Sequence, residues 1–329
     1  MKKSICLFLV VFLLTSQLIL SVLAIDDKTN TMSLHIRETI ASFAEDVLGT
    51  DQYDAIVEMY GFDEQVNYLY FDFGEEGYIV YDIRNLLIAE ASAVKNNVYN
   101  NLISSKIYYN GPLSYYTKKN DQFVDLYTNK SIMVSEAVPV QINHDRINNG
   151  SLNLGGNASV RAQTDYQVTI NGNLPNYSYN PNGICGSTAA AMWFSYMDIY
   201  VDDNYVSDQL VTTDGMALIQ DLVPYIDGVI PGSNTDDLRN GMQEYIDARN
   251  ITKTMNSCTW DNTIFKARIA ASRPVIIDLD SDPTYYEHWV VAYGYYVRKD
   301  PSISYLLVND GHGNTGIHIN LSYVGDMVY

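Results

Sequence analysis

Asn182-Gly183-Ile184-Cys185-Gly186-Ser187-Thr188-Ala189-Ala190-Ala191-Met192 is the stretch on which the reading of this chain turns. Alanine and methionine are strong helix formers, so an apolar helix is predicted from Thr188 to about Tyr200. Ser187 or Thr188 stands where a hydroxyl would cap it. Glycines on either side of Cys185 let the backbone turn tightly and let a substrate approach closely. A cysteine at the amino end of a helix feels the positive end of the helix dipole, which favours thiolate over thiol. The adjacent backbone N–H groups are positioned to hold a developing oxyanion. A structural cysteine is expected inside an apolar stripe, whereas Cys185 stands before one. That is the position of a nucleophile.

A thiol nucleophile needs a base, and the chain has five histidines. His35 lies on a predicted N-terminal helix, and His144 lies beside a predicted linker. His318 falls on the polar face of the alternating strand Ile317-His318-Ile319-Asn320-Leu321 and is expected to be solvated. His312 sits in the glycine-rich turn Gly311-His312-Gly313. His288 opens His288-Trp289-Val290-Val291-Ala292-Tyr293-Gly294, at the mouth of a buried strand, where a ring is held in a fixed orientation. His288 is therefore the expected general base, with His312 as the alternative. One strand later, Val308-Asn309-Asp310-Gly311 offers two groups to accept from its other ring N–H. Asn309 would orient the ring without adding charge, and Asp310 would also stabilise the imidazolium.

The rest of the C-terminal half reads as helices followed by strands. Asn234 is placed to cap a helix carrying Asp236 and Asp237 in its first turn and Leu238, Met242, Tyr245 and Ile246 along one side. A further helix covers 263–270. Strands are predicted at 274–279, 288–297, 305–309 and 317–324. This order gives an α+β class, with the nucleophile helix packed on an antiparallel sheet. Upstream, Ser33 opens a helix over 33–48. Tyr68–Phe73 and Tyr78–Asp82 flank Gly74-Glu75-Glu76-Gly77 as a hairpin, with a further strand at 86–89. Residues 95–135, rich in Asn, Tyr and Lys, show no clear periodicity. The loop chemistry of Asn148-Asn149-Gly150-Ser151 and Gly155-Gly156-Asn157-Ala158-Ser159 marks a linker between about 140 and 165.

With these residues in place, a family resemblance is visible over roughly 165–329. Cys185-Gly186-Ser187 at a helix start resembles the cysteine motif of papain-like peptidases. The chain order of cysteine, histidine on a strand and asparagine on the next strand is similar to theirs. The nearer resemblance is to streptopain-like enzymes and to the bacteriocin-processing (double-glycine) peptidase group. The streptopain resemblance implies Asn309 as the orienting residue, while the double-glycine resemblance implies Asp310. It also implies an amide ahead of the cysteine as oxyanion donor. Here Tyr179 lies six residues before Cys185 and the nearby amides are Asn176, Asn180 and Asn182, so Asn180 is the expected donor. More weakly, Phe73–Asp82 with 86–92 resembles the hairpin of a streptopain-type propeptide. A small α+β pro-domain and a zymogen are what that likeness implies.

Composition bounds the alternatives. Lys2 and Lys3, an apolar run from Ile5 to Leu23 and small residues about Ala24 have the layout of a secretory signal peptide. The expected organisation is a signal peptide at 1–24, a pro-domain-like region and linker at 25–150, and a peptidase domain at 151–329, with the product secreted. A hydrophobic content of 47% against 18% charged residues marks a globular chain. The net charge of −19 argues against nucleic acid and an anionic membrane surface as partners. The expected partner is a protein or peptide substrate, and nothing in the sequence bears on oligomeric state. Scattered histidines with no ligand spacing argue for no metal and no other cofactor. Two other functions remain open at this level. One is a Cys-His amidase acting on peptidoglycan or a cross-linking enzyme. The other is a non-catalytic surface module in which Cys185 is bonded to Cys258, which outside the signal are the two cysteines.

Overall fold

The computed structural model describes residues 34, 36–95, 106–140, 142, 165–228, 232–279, 288–298 and 304–329. The expected signal peptide, His35, His144 and nearly all of the expected linker lie outside these residues. The chain divides into two compact units, 1–52 and 53–329. In the first, helix α1 runs over 36–48, as the spacing predicts. Ile36, Ile40, Phe43 and Ala44 form its buried stripe.

The second unit is built on a mixed sheet. Its N-terminal strands are β1 (Ala55–Tyr60), β2 (Val66–Asp72), β3 (Tyr78–Asp82), β4 (Leu87–Ser92), β5 (Ile107–Tyr109), β6 (Tyr115–Lys119), β7 (Gln122–Asp125) and β8 (Ser131–Met133). The expected hairpin is present: β2 and β3 pair antiparallel, from Tyr68 opposite Asp82 to Asp72 opposite Tyr78, around a 3-10 turn at Gly74–Glu76. Strands β5 to β8 occupy the stretch where no periodicity was visible. They are three to five residues long, too short for alternation to stand out.

The C-terminal elements are β9 (Tyr166–Thr169), α2 (Cys185–Tyr200), α3 (Met216–Ile226), α4 (Thr235–Ala248), β10 (Ser257–Thr259), α5 (Asn262–Ala270), β11 (Val275–Leu279), β12 (His288–Val297), β13 (Ser304–Asn309), β14 (Ile317–Asn320) and β15 (Val324–Val328). The predicted strand over 317–324 is two strands, separated by a 3-10 turn at Leu321–Tyr323. Asn320 accepts a hydrogen bond from the Ser322 N–H and starts that turn. The Asn234 cap forms as expected, accepting from the Asp237 N–H at 2.9 Å.

Among the described residues the sheet order is β10-β15-β11-β12-β13-β14-β4-β3-β2-β1-β5-β6-β7-β8. β9 lies off this path, against the far half of β12. Strands from both sides of the expected linker thus share one sheet, joined where β14 pairs antiparallel with β4. That junction changes the status of His318. It was expected in water, yet β4 covers the outer edge of β14, and His318 is only 6% exposed beside the rings of Tyr296 and Tyr305.

Helix α2 is apolar on every side, and each residue from Cys185 to Asp198 is buried. A helix of that kind belongs inside a core. It packs on β12 and β11 and is covered by α3 and α4. Two buried tryptophans brace this packing through their ring N–H groups: Trp193 of α2 donates to the Pro274 carbonyl ahead of β11 at 2.9 Å, and Trp289 of β12 donates to the Ser233 carbonyl ahead of α4 at 2.8 Å. Truncating either ring would cost about 3–5 kcal/mol. Among the described residues, helices and a large mixed sheet make an α+β protein, compatible with a papain-like fold.

Candidate active site

Cys185 is the first residue of α2 rather than a residue ahead of it. The expected hydroxyl caps are therefore inside the helix and do other work. The Thr188 hydroxyl lies against the carbonyls of Ile184 and Tyr179. Ser187 gives both its N–H and its hydroxyl to one oxygen of Asp227, at the end of α3. A carboxylate from a neighbouring helix thus occupies the positive end of α2. Ser233 stands over Gly186, where any Cβ would collide with its hydroxyl. Gly183 has φ +74°, and the Lys130 side chain covers the space a Cβ would need. Glycine adopts that backbone angle without strain.

The thiol sits at the start of β12. The N–H of Trp289, the residue after His288, hydrogen-bonds the Cys185 sulfur. Cys185 is 6% exposed. Burial pushes its thiol up from an ordinary 9.0 to about 12. The Trp289 N–H and the Lys130 charge oppose that rise, whereas Asp227 and Asp278 add to it. The dipole effect expected from sequence is thus outweighed in this conformation by desolvation and by the carboxylate that caps the same helix end.

His288 lies opposite Leu279 in the β11–β12 ladder. Its Nε2 is 3.0 Å from the main-chain carbonyl of Asp310. Burial, and then the neighbouring His312, hold the imidazole well below its usual pKa. The two rings are stacked, 5.0 Å apart and 6° from parallel. On the far side of His312 lies Tyr127, 4.2 Å away and 17° from parallel. Three rings therefore form one column, Tyr127–His312–His288. Its outermost member comes from the turn between β7 and β8. That turn is held by Asp125, whose carboxylate accepts from the N–H groups of Tyr127 and Thr128 and from the Thr128 hydroxyl.

Asn309 and Asp310 end β13, with Asn309 opposite Val291. Both are buried. The Asn309 amide donates to the carbonyl of Pro175 at 3.1 Å, and its own carbonyl oxygen is buried with no hydrogen-bond partner. The Asp310 carboxylate is taken by the N–H groups of His312 and Asn314 and by the Asn314 amide. The His288 ring thus contacts the Asp310 main chain, while Asn309 lies on the neighbouring strand opposite Val291. Asn180, five residues before Cys185, is 8% exposed, and both polar atoms of its amide lack a partner. A buried amide with neither bond made is unusual and costs stability. Among its neighbours, Asn176 is spent on the Gly313 carbonyl, at 2.7 Å.

Sequence reasoning missed Tyr127 and Lys130. Asp125-Leu126-Tyr127-Thr128-Asn129-Lys130 carries turn chemistry, but nothing local says where the turn docks. The two cysteines are not bonded to each other: Cys185 heads α2, and Cys258 on β10 shares a hydrogen bond with Tyr329. No group of three or more His, Cys, Asp or Glu side chains suited to a metal occurs among the described residues.

Comparison with known proteins gives no significant match among curated proteins. Residues 166–323, from the first residue of β9 through the turn before β15, do match a family model, and this part of the chain is similar to the Peptidase_C39 like family, a group of cysteine peptidases.

Proposed function

We propose that the protein is a secreted cysteine peptidase, made as a latent zymogen, that hydrolyses peptide bonds through Cys185. The observation that carries this reading is the hydrogen bond from the Trp289 N–H to the Cys185 sulfur, which ties the nucleophile to the first turn of the strand bearing His288. Export is supported by the basic start, apolar run and small residues of the first 24 positions.

In the active form His288 takes the Cys185 proton, and the thiolate attacks the scissile carbonyl carbon. The carbonyl oxygen becomes an oxyanion, met by the backbone N–H groups at the head of α2 and by the Asn180 amide. His288 returns the proton to the departing amine, leaving a thioester on Cys185. Water then gives a proton to His288, attacks the thioester and frees the acid and the thiol. Asn309 is the orienting residue for the ring, its unpartnered buried oxygen being available for the imidazole N–H. Asp310 is the alternative, and its carboxylate is already committed to the His312–Asn314 turn.

Latency rests on three features of the site. Tyr127 closes the outer face of the histidine column, and Lys130 covers Gly183 beside the nucleophile. Burial keeps both thiol and imidazole uncharged. A neutral, covered pair does not attack amides. The test compares wild type with Cys185→Ala, following chain mass and digestion of casein. Shortening of the chain and casein cleavage by wild type alone are expected. A wild type that stays full length and inert under reducing conditions would remove the proposal, and release of muropeptides instead of casein fragments would redirect it to an amidase.

A further inference from the structure

The face that joins the two halves of the sheet is central, dry and hydrogen-bonded. β4 and β14 pair through Ser92–Ile317, Ala91–His318 and Glu90–Ile319. Glu90 and Ala91 on one side, and Ile317 and Ile319 on the other, are fully buried. Tyr323 adds a side-chain tie: its hydroxyl donates to Asp82 at 2.9 Å, and the Asp82 carboxylate has no exposure to water. Without β4, the outer edge of β14 would present unpaired backbone groups beside two bared isoleucines. Such an edge is strongly disfavoured in water.

The part of the N-terminal half that touches the catalytic residues is built differently. The turn carrying Tyr127 and Lys130 leads into β8, the last strand in the sheet order. β8 is held by three residue pairs to β7, and its Ser131 and Met133 are exposed. Local opening concentrates where few buried contacts hold an element. β8 therefore lies at the low end of the stability range, and the 126–130 turn, tied inward by the Leu126 N–H on the Tyr115 carbonyl and by the Tyr115–Tyr127 ring contact, lies between β8 and the seam.

We propose that residues 53–140 stay bound to residues 165–329 as a separate chain after any cut between them. The mature protein is then a two-chain particle whose site opens by movement of the 126–130 turn, not by loss of the N-terminal half. The physiological role of this arrangement rests on the zymogen reading above; the binding itself does not. The partner for the β14 edge is the chain's own β4 sheet, recognised by strand addition and by the Tyr323–Asp82 bond.

The experiment places a site-specific protease sequence at 153–160 in the full-length Cys185→Ala chain, which cannot process itself. After complete cutting, the sample is run by size exclusion in native buffer over a dilution series. Co-elution of the two fragments at submicromolar concentration, with separation only in denaturant, is the expected result. Separation in native buffer at micromolar concentration overturns the proposal. Tyr323→Phe should weaken fragment association by about 10- to 150-fold, the loss of one hydrogen bond to a buried carboxylate, and an unchanged association would overturn the assignment to this seam. Tyr127→Ala should also weaken association, by about 2- to 12-fold, because its ring stacks on His312 across the two fragments. A failed zymogen reading shows separately, as wild-type chain that never shortens.

Discussion

Alkylation of Cys185 in the intact chain should be slow and should accelerate with pH well beyond the range of an ordinary thiol. Its thiol is raised from 9.0 to about 12, so at any pH below 9 the reactive thiolate is ~1000-fold rarer than for an unperturbed cysteine. A more basic thiolate is also a better nucleophile, with a Brønsted slope of about 0.4–0.5, which recovers ~20- to 30-fold. The net expectation is labelling ~30- to 50-fold slower than in the unfolded chain, before any steric protection by the Tyr127 turn is counted. The measurement is iodoacetamide labelling from pH 6 to 10, read by peptide mass spectrometry. Cys258, half-buried on β10, serves as an internal comparator in the same sample. The Cys185 rate should climb about tenfold per pH unit without a plateau by pH 10. Tyr127→Ala removes a ring stack of about 0.5–1.5 kcal/mol and should raise the rate about 2- to 12-fold. A plateau below pH 9 in the intact wild type, or labelling at pH 7 as fast as in urea, would mean an ionised site and would end the latency argument.

Three further outcomes are expected. Asn180→Ala should lower kcat of the mature enzyme by about 100-fold or more, while the thermal midpoint holds or rises, because the lost amide made no hydrogen bond; a fall in midpoint with kcat intact would count against the oxyanion role. Glu90→Ala should cost about 3–5 kcal/mol in urea unfolding, since the hydroxyls of Tyr78, Tyr109 and Tyr115 and the Leu113 N–H all lose their acceptor; a loss below 1 kcal/mol would show that the node is not holding the sheet. Acid should weaken the fold between about pH 6.5 and 4: His312 and His318 are held at about 4 by burial, so on acidification the unfolded chain binds protons first. Each contributes at most about 3 kcal/mol. The raised carboxyls of Glu90 and Asp310 act in the opposite sense and soften the fall. Urea midpoints at pH 7.5, 5.5 and 4.5 measure it, and a flat series would contradict the burial of these rings.

The nucleophile helix, the helix opened by Asn234 and the strands carrying His288 and Asn309 were legible because each combines a long apolar pattern with a clear boundary signal. The three-residue strands were not, since alternation needs more residues than they have. α3 was missed as well: its apolar run is short and contains Pro224 in the last turn. The fate of His318 shows a different limit. Its strand alternates as a half-exposed strand should, but a partner strand about 230 positions earlier covers its edge, and no local pattern reports that. The state of Cys185 is similar. The dipole argument is sound for a bare helix end, but the carboxylate that caps α2 arrives from Asp227, on another element. Local chemistry named the candidate reacting groups; what surrounds them was decided by distant segments.

The Glu90 node has a bearing on the order of assembly. Its four donors lie 12 to 25 positions along the chain from the carboxylate, so the N-terminal ladder closes on itself with short loops and little entropic cost. The Tyr323–Asp82 bond spans 241 positions. During synthesis the first ladder is complete long before β14 leaves the ribosome, and its β4 edge waits as a template for the last strands made. Closure of so large a loop is slow, and until then the open edge is the point where a stranger's strand could pair instead.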